Sequence, residues 1–400
     1  MTTRHLYVHV PFCRRRCTYC DFSIAVRRRV PVADYLAALQ REWTLVAQAA
    51  PAPSAPVETV YLGGGTPSLL GAEGVAALAA CLDVPADVAE FTIEANPDDV
   101  TPAAATAWLR AGVNRLSLGA QSFDDSVLAW MHRTHDASAI GAAVSAARRA
   151  GFANLSLDLI FALPPELGRR LDDDLDRLLA LEPDHISLYG LTVEDHTPLG
   201  RRAKRGELHA APDERYEDEY LALVRRLTAD GYQFYEVSNA ARPGREAVHN
   251  RAYWRLVPYL GIGPSAHSFD GASRRWNEAA YALWQARLAR GESPVAGHEF
   301  LAPEQQRLEA FYLGLRTADG VTLPEPVPPG LAAAVASWVA ARWAEVERTS
   351  GRADERTGGQ ADERTGGQAD GRSGRAEGPA MRLRLTPLGW LRLDELAASV

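Results

Sequence analysis

Short apolar runs alternate with longer alanine-rich stretches through the first half of this chain. The short runs at 6–10, 57–62, 90–94, 114–118, 154–160 and 185–189 have the length of strands. The stretches between them carry apolar residues at helical spacing, clearest over 34–49 and 138–150. Thr101 followed by Pro102 predicts an N-cap and a first helical residue, and Gly151 predicts a helix stop. Strand–helix alternation repeated about six times implies parallel β/α units. Six units do not complete an eight-unit barrel, so the expected fold is α/β, an open partial (β/α)6 barrel.

Polar residues cluster where each predicted strand ends. These positions are Gly63-Gly64-Gly65-Thr66-Pro67, Glu94-Ala95-Asn96-Pro97, Gly119-Ala120-Gln121-Ser122, Asp158 and Tyr189-Gly190-Leu191-Thr192. Carboxyl ends of parallel strands are where α/β folds bind ligands, so these segments should meet on one rim.

Further along, 216–229 reads as a helix, 233–237 as a strand and 258–267 as a glycine-rich turn. Helices are predicted over 304–315 and 331–346, and an alternating strand over 381–386. The octad at 353–360 recurs unchanged at 361–368 and decays from 369. It holds no apolar residue larger than alanine, which predicts a disordered surface insertion over 349–379. The expected organisation is a barrel over 1–215, an extension over 216–295 and a small winged-helix-like α+β domain over 296–400.

Charge narrows the function. The chain carries 43 Lys+Arg against 51 Asp+Glu, a formal net charge of −8, which argues against a general nucleic-acid binder. No apolar run is long enough to span a membrane, although peripheral contact stays open. The strand pattern starts almost at the N-terminus, which predicts no secretory or transit peptide and a cytoplasmic protein.

The strongest chemical signal follows the first strand. Cys13, Cys17 and Cys20 account for three of the four cysteines and fall within eight positions. An odd cluster of thiols suits a disulfide framework poorly. Three thiolates can hold three irons of a four-iron cube and leave the fourth iron open to a substrate or cofactor. Arg14, Arg15 and Arg16 are expected to favour thiolates. A zinc site completed by His5 or His9 stays open as the alternative. Cys81 reads as a small buried apolar residue.

The cysteine loop, the Gly-Gly-Gly-Thr-Pro segment and the open barrel together resemble radical S-adenosylmethionine (SAM) proteins. More narrowly, the chain is similar to the HemW haem chaperone family, relatives of oxygen-independent coproporphyrinogen III dehydrogenase. The resemblance covers nearly the whole chain outside the octads. It implies that SAM chelates the open iron of a 4Fe–4S cluster through its amino and carboxylate groups. It further implies Tyr7 and Tyr19 near the cofactor, and Gly64, Gly65 and Thr66 against the methionine part. Glu94 would accept from the SAM amino group, Arg133 would face the carboxylate, and Gln121 and Asp158 would hold the ribose. Thr192 and His267 match positions near the adenine. Taken singly, Asp158 reads as a structural cap and Arg133 as a surface charge; the shared rim position favours the ligand reading for Glu94, Gln121 and Asp158, and less so for Arg133, which lies in a looser helical context.

Two features favour chaperone over dehydrogenase. No further cysteine follows Cys20 closely, where the dehydrogenase has one. His249-Asn250-Arg251-Ala252-Tyr253-Trp254 matches a His-Asn-x-x-Tyr-Trp motif associated with haem in the chaperones. The resemblance therefore implies a haem-delivering protein, with haem as cargo, haem-accepting partner proteins and an electron donor such as a flavodoxin or ferredoxin. The alternatives are oxidative decarboxylation of two coproporphyrinogen III propionates to vinyls, or radical chemistry on another substrate.

Overall fold

A computed structural model describes residues 4–49, 56–348 and 380–400; the predicted insertion at 349–379 lies outside the described residues. All six predicted strands are present. They are β1 (His5–Val10), β2 (Thr59–Gly64), β3 (Glu90–Ala95), β4 (Arg115–Gln121), β5 (Leu155–Phe161) and β6 (His185–Gly190). They pair in this order, all parallel. The connecting helices start and stop where local chemistry dictates. Thr101 Oγ1 accepts from Ala104 N at 3.1 Å ahead of Pro102, and Gly151 closes its helix at φ 115°.

The sheet is larger than the six units. The hairpin β7 (Gln233–Glu236) and β8 (Asn239–Ala241) joins antiparallel at the β6 edge. At the other edge, β9 (Tyr259–Ile262) pairs parallel with β1 and leads into the antiparallel strands β10 (His267–Phe269), β11 (Ser273–Asn277) and β12 (Val295–Phe300). The order is β12-β11-β10-β9-β1-β2-β3-β4-β5-β6-β8-β7, an open sheet of twelve strands. The predicted glycine-rich turn at 258–267 is therefore partly strand. Gly261 belongs to β9 because a Cβ there would meet the His267 carbonyl oxygen at 2.0 Å.

One face of the six parallel strands is apolar and packs on the helices, with Ile93, Leu116, Leu118, Leu157 and Leu188 all buried. The opposite face is polar: Thr92 and Glu94, Arg115 and Ser117, Ser156 and Asp158, His185 and Ser187. The two-residue strand period thus puts the core on one side and the chemistry on the other.

The described residues divide into two compact units, between Ala310 and Phe311. In the second unit, β13 (Val321–Thr322), β14 (Ala344–Arg348) and β15 (Met381–Leu385) form an antiparallel sheet in the order β13-β15-β14. The helix predicted over 331–346 ends at Ala340. Arg342 turns the chain at φ 62°, and Ala344–Arg348 pairs with β15.

Candidate functional site

The cysteine loop leaves β1 and returns to its side. Ala25 N donates to Pro11 O at 2.7 Å and Arg27 N to Cys13 O at 2.9 Å, closing the loop at its base. His9 ties the far limb down, with Nε2 at 3.0 Å from Ser23 O and Nδ1 at 3.2 Å from the Tyr7 hydroxyl. Thr18 N donates to Met131 O at 3.1 Å, and Leu199 N to Thr18 O at 2.8 Å. Tyr19 packs on a buried cluster of Val127, Met131, Ile160 and Leu163.

The arginines of the loop brace it. Arg14 bridges Asp98 at 3.1 Å and Asp99 at 2.7 Å, just past the end of β3. Arg15 donates to the Arg133 carbonyl, and Arg16 to Cys20 O at 3.2 Å. Burial pushes the Cys13 thiol up to about 11, with Cys20 and Cys17 adding to the rise, and burial also raises Cys20. Burial is the dominant influence on both thiols, and Arg16 pulls Cys20 the other way, toward the thiolate. All four cysteines are free. Metal would bind by displacing thiol protons.

The three cysteines line a cavity of about 450 Å³ together with Tyr19, Gly64, Gly65, Thr66, Glu94, Gln121, Arg133, Asp158 and Thr192. Residues from six strand ends meet there, as the sequence pattern requires. Thr66 Oγ1 lies 3.4 Å from Cys13 Sγ. The Arg133 guanidinium lies 3.5 Å from Cys17 Sγ and donates to Asn96 Oδ1 at 2.7 Å and Gly119 O at 2.8 Å.

Gly64 and Gly65 are required by β1 as much as by any ligand. Gly64 has φ 109°, and a Cβ there would meet the His9 ring at 2.6 Å. A Cβ on Gly65 would meet the Phe12 carbonyl oxygen at 2.7 Å.

The cavity wall is acidic and partly unsatisfied. Glu94 accepts from the Tyr61 hydroxyl at 2.8 Å and from Gly64 N at 3.2 Å. Burial, with the nearby Asp158 charge adding, raises it to about 7. Asp158 accepts from Ser117 Oγ at 3.2 Å, and burial raises it to about 6. Gln121 sits at φ 70° beyond a register shift in β4, and its buried Oε1 has no partner among the described residues. Two carboxyls short of compensating cation and one orphaned acceptor suit a cationic ligand bearing hydroxyl donors. SAM, with its sulfonium, ammonium and ribose, has that chemistry. The free thiols have the chemistry of an iron–sulfur cluster.

Three predicted residues lie outside the cavity lining. Tyr7 is half-buried on β1 and stacks on Tyr61 at 6.2 Å. His267 is exposed on β10 and stacks on Trp276 at 6.0 Å. His249 is buried at the opposite end of the sheet's polar face, where Nδ1 lies 2.7 Å from Thr59 Oγ1 and Nε2 2.8 Å from the Tyr253 hydroxyl. Burial, with His5 and Arg115 nearby, lowers it to about 3. As placed, the ring offers no free nitrogen to an iron. His5 also lies at that far end, bonded to Thr59 at 2.8 Å, and His9 has both nitrogens engaged. Neither serves as a fourth zinc ligand. Among the described residues, no three His, Cys, Asp or Glu converge to hold a single metal ion.

Sequence reasoning missed two buried carboxylates that hold the site's frame. Asp174 accepts from Ser122 Oγ at 2.9 Å and Phe123 N at 2.7 Å, and pairs with the buried Arg169 at 2.9 Å. Arg169 also reaches Glu219 at 3.2 Å and Ile160 O at 3.0 Å. Glu42 accepts from Gly263 N and Trp284 Nε1, both at 2.9 Å. Its signal was present: it continues the Tyr35, Ala38, Leu39 face of a helix.

Comparison with known proteins gives the same direction. The radical SAM superfamily profile matches residues 7–178. The heme chaperone HemW of Mycobacterium tuberculosis (strain ATCC 25618 / H37Rv) is 40% identical over 327 residues, 80% of this chain and 83% of that protein. The heme chaperone HemW of Bacillus subtilis (strain 168) is 35% identical over 320 residues, 79% of this chain and 84% of that protein. Among solved structures, coproporphyrinogen III oxidase from Escherichia coli, described as a radical SAM enzyme, superposes with a TM-score of 0.76 at 22% identity. The match covers 100% of this chain and 90% of that one. At that identity the likeness establishes the fold. No helix among the described residues is long and apolar enough to cross a membrane.

Proposed function

Because this chain belongs to the HemW heme chaperone family of radical SAM proteins, we propose that it holds a 4Fe–4S cluster and SAM and delivers haem to acceptor proteins. One observation carries the cofactor part: three free thiols and the Glu94, Gln121 and Asp158 side chains face the same cavity. Cys13, Cys17 and Cys20 would ligate three irons. A bound cluster supplies an open iron for the SAM amino and carboxylate groups and a route for an electron. Glu94 would accept from the amino group, Arg133 would face the carboxylate, and Gln121 and Asp158 would take the ribose hydroxyls. Gly64, Gly65 and Thr66 line the methionine end, with Tyr19 and Thr192 along the walls. Tyr7 acts through His9 and Tyr61. His267 would reach the adenine only by moving from its place on β10.

An electron donor of the flavodoxin or ferredoxin type would reduce the cluster. Free thiols suit a reducing compartment such as the cytoplasm. The deciding experiment is a spectral titration of the reconstituted protein with haem, run beside an anaerobic assay with SAM, reductant and coproporphyrinogen III. A saturable haem spectrum without vinyl-bearing product supports the chaperone. Product formation would replace it with the dehydrogenase, and SAM cleavage without porphyrin conversion would point to another substrate. His249→Ala belongs in the same titration, since direct ligation by His249 requires its two hydrogen bonds to break.

A further inference from the structure

We propose that haem lies across the mouth of the cysteine-lined cavity with His132 as the ligand to its iron. This rests on the haem-handling reading above and adds the place on this chain where the macrocycle sits.

Among the described histidines, His132 alone lines the cavity. It is exposed, and neither ring nitrogen has a hydrogen-bond partner among the described residues. The other candidates are engaged or lie away from the cavity lining. His249 and His9 use both ring nitrogens. His135 is buried and bonded to Ala120 O at 3.2 Å, and His267 stands outside the cavity. An unengaged imidazole at a cavity rim is the side chain that haem iron takes most readily.

The backbone at His132 is strained in its favour. Its φ is 60°, left-handed for a non-glycine residue, in the turn between the helices Asp125–Trp130 and Ala137–Ala150. Such a conformation is strained for a non-glycine residue and persists where the surroundings impose it. Here they do: His132 N donates to Ala129 O at 3.0 Å, and the next amide, Arg133 N, to Leu128 O at 2.9 Å. Arg133 is in turn held by Asn96 and Gly119.

The rest of the mouth fits a flat apolar ring with two acidic arms. Phe22 is 61% exposed and Tyr189 48% exposed, and both line the cavity with Ile24 and Leu191. Large apolar side chains grouped at a cavity mouth mark a binding surface. Arg15 is exposed on the same lining and offers charge to a propionate. About 450 Å³ suits one nucleoside-sized ligand, so the macrocycle rests over the opening rather than within it.

The test is a haem titration of full-length, cluster-reconstituted protein, read by Soret absorbance, for wild type, His132→Gly and His249→Ala. His132→Gly should weaken binding by about tenfold or more and move the spectrum away from that of an imidazole-ligated haem. Added imidazole should restore that spectrum. Glycine relieves the left-handed backbone, so the variant should melt no lower than wild type, and its haem defect cannot come from unfolding. Wild-type affinity and spectrum in His132→Gly would overturn the proposal, as would loss of binding confined to His249→Ala. If wild type itself binds no haem, the chaperone reading falls and this inference falls with it.

Discussion

Ser122 donates to Asp174 at 2.9 Å, and that bond anchors the turn immediately after Gln121. The same carboxylate neutralises Arg169, whose side chain is 1% exposed. Asp174→Ala would leave a buried guanidinium short of its partner. The expected loss is about 3–5 kcal/mol of folding stability, read by urea denaturation. Asp174→Asn should lose less, because it keeps an acceptor for Ser122. A loss below about 1 kcal/mol in Asp174→Ala would mean that Glu219 and Ile160 O suffice for Arg169.

Glu94 and Asp158 predict a pH dependence with a definite sign. Burial raises both above the usual carboxylate range, to about 7 and about 6. The stability they contribute is present at low pH and is lost as pH rises through those values. Without ligand, Glu94→Gln should therefore be more stable than wild type at pH 8, and the gain should vanish near pH 4. A cationic ligand reverses the balance because it binds the ionised forms. SAM affinity should rise between pH 5 and pH 8 with proton release, seen by calorimetry in buffers of different ionisation heat. Affinity independent of pH across that window would exclude these carboxyls from the amino-group and ribose roles.

Cys17→Ala should abolish iron loading while leaving the fold intact. Arg133 loses its contact with the thiol but keeps Asn96 and Gly119. After anaerobic reconstitution, iron and sulfide should fall to background while the melting curve stays close to wild type. Full iron content in the variant would remove Cys17 from the ligand set.

The segment 349–379 should be replaceable by a short turn. Arg348 on β14 stands opposite Met381 on β15, so the chain leaves and re-enters the sheet at adjacent positions. Each halving of a flexible loop recovers about 0.6 kcal/mol of closure entropy. The shortened protein should thus be at least as stable as the full chain by thermal melting. Insoluble protein would show that the octads do more than connect.

The barrel and its rim were legible because strand periodicity and strand-end polarity are local signals. Glu94, Gln121 and Asp158 could be assigned to one rim before any coordinates. What escaped depends on contacts distant in sequence. Strand β9 was hidden by Gly261, which breaks an apolar pattern only because His267 crosses behind it. Strand β14 was hidden because Trp343 to Val346 continue a helical pattern, and the turn at Arg342 is set by pairing with β15. The arginine triplet looked like thiol activation, yet its partners lie more than eighty residues away for Arg14 and Arg15. His249 carried a motif whose letters are equally those of a buried network with Thr59 and Tyr253.

The polar face of the six strands has a thermodynamic consequence. Most of the strands' buried apolar side chains are on the helix side, while Thr92, Arg115, Ser156, His185 and their neighbours fill much of the other side. Melting this unit exposes much buried polar surface, whose hydration lowers heat capacity where apolar hydration raises it. The heat-capacity increment should therefore fall below the ~12–15 cal/mol/K per residue usual for globular chains. The curve of stability against temperature is correspondingly shallow, and tolerance of cold and of heat are set together by the lining that makes the site.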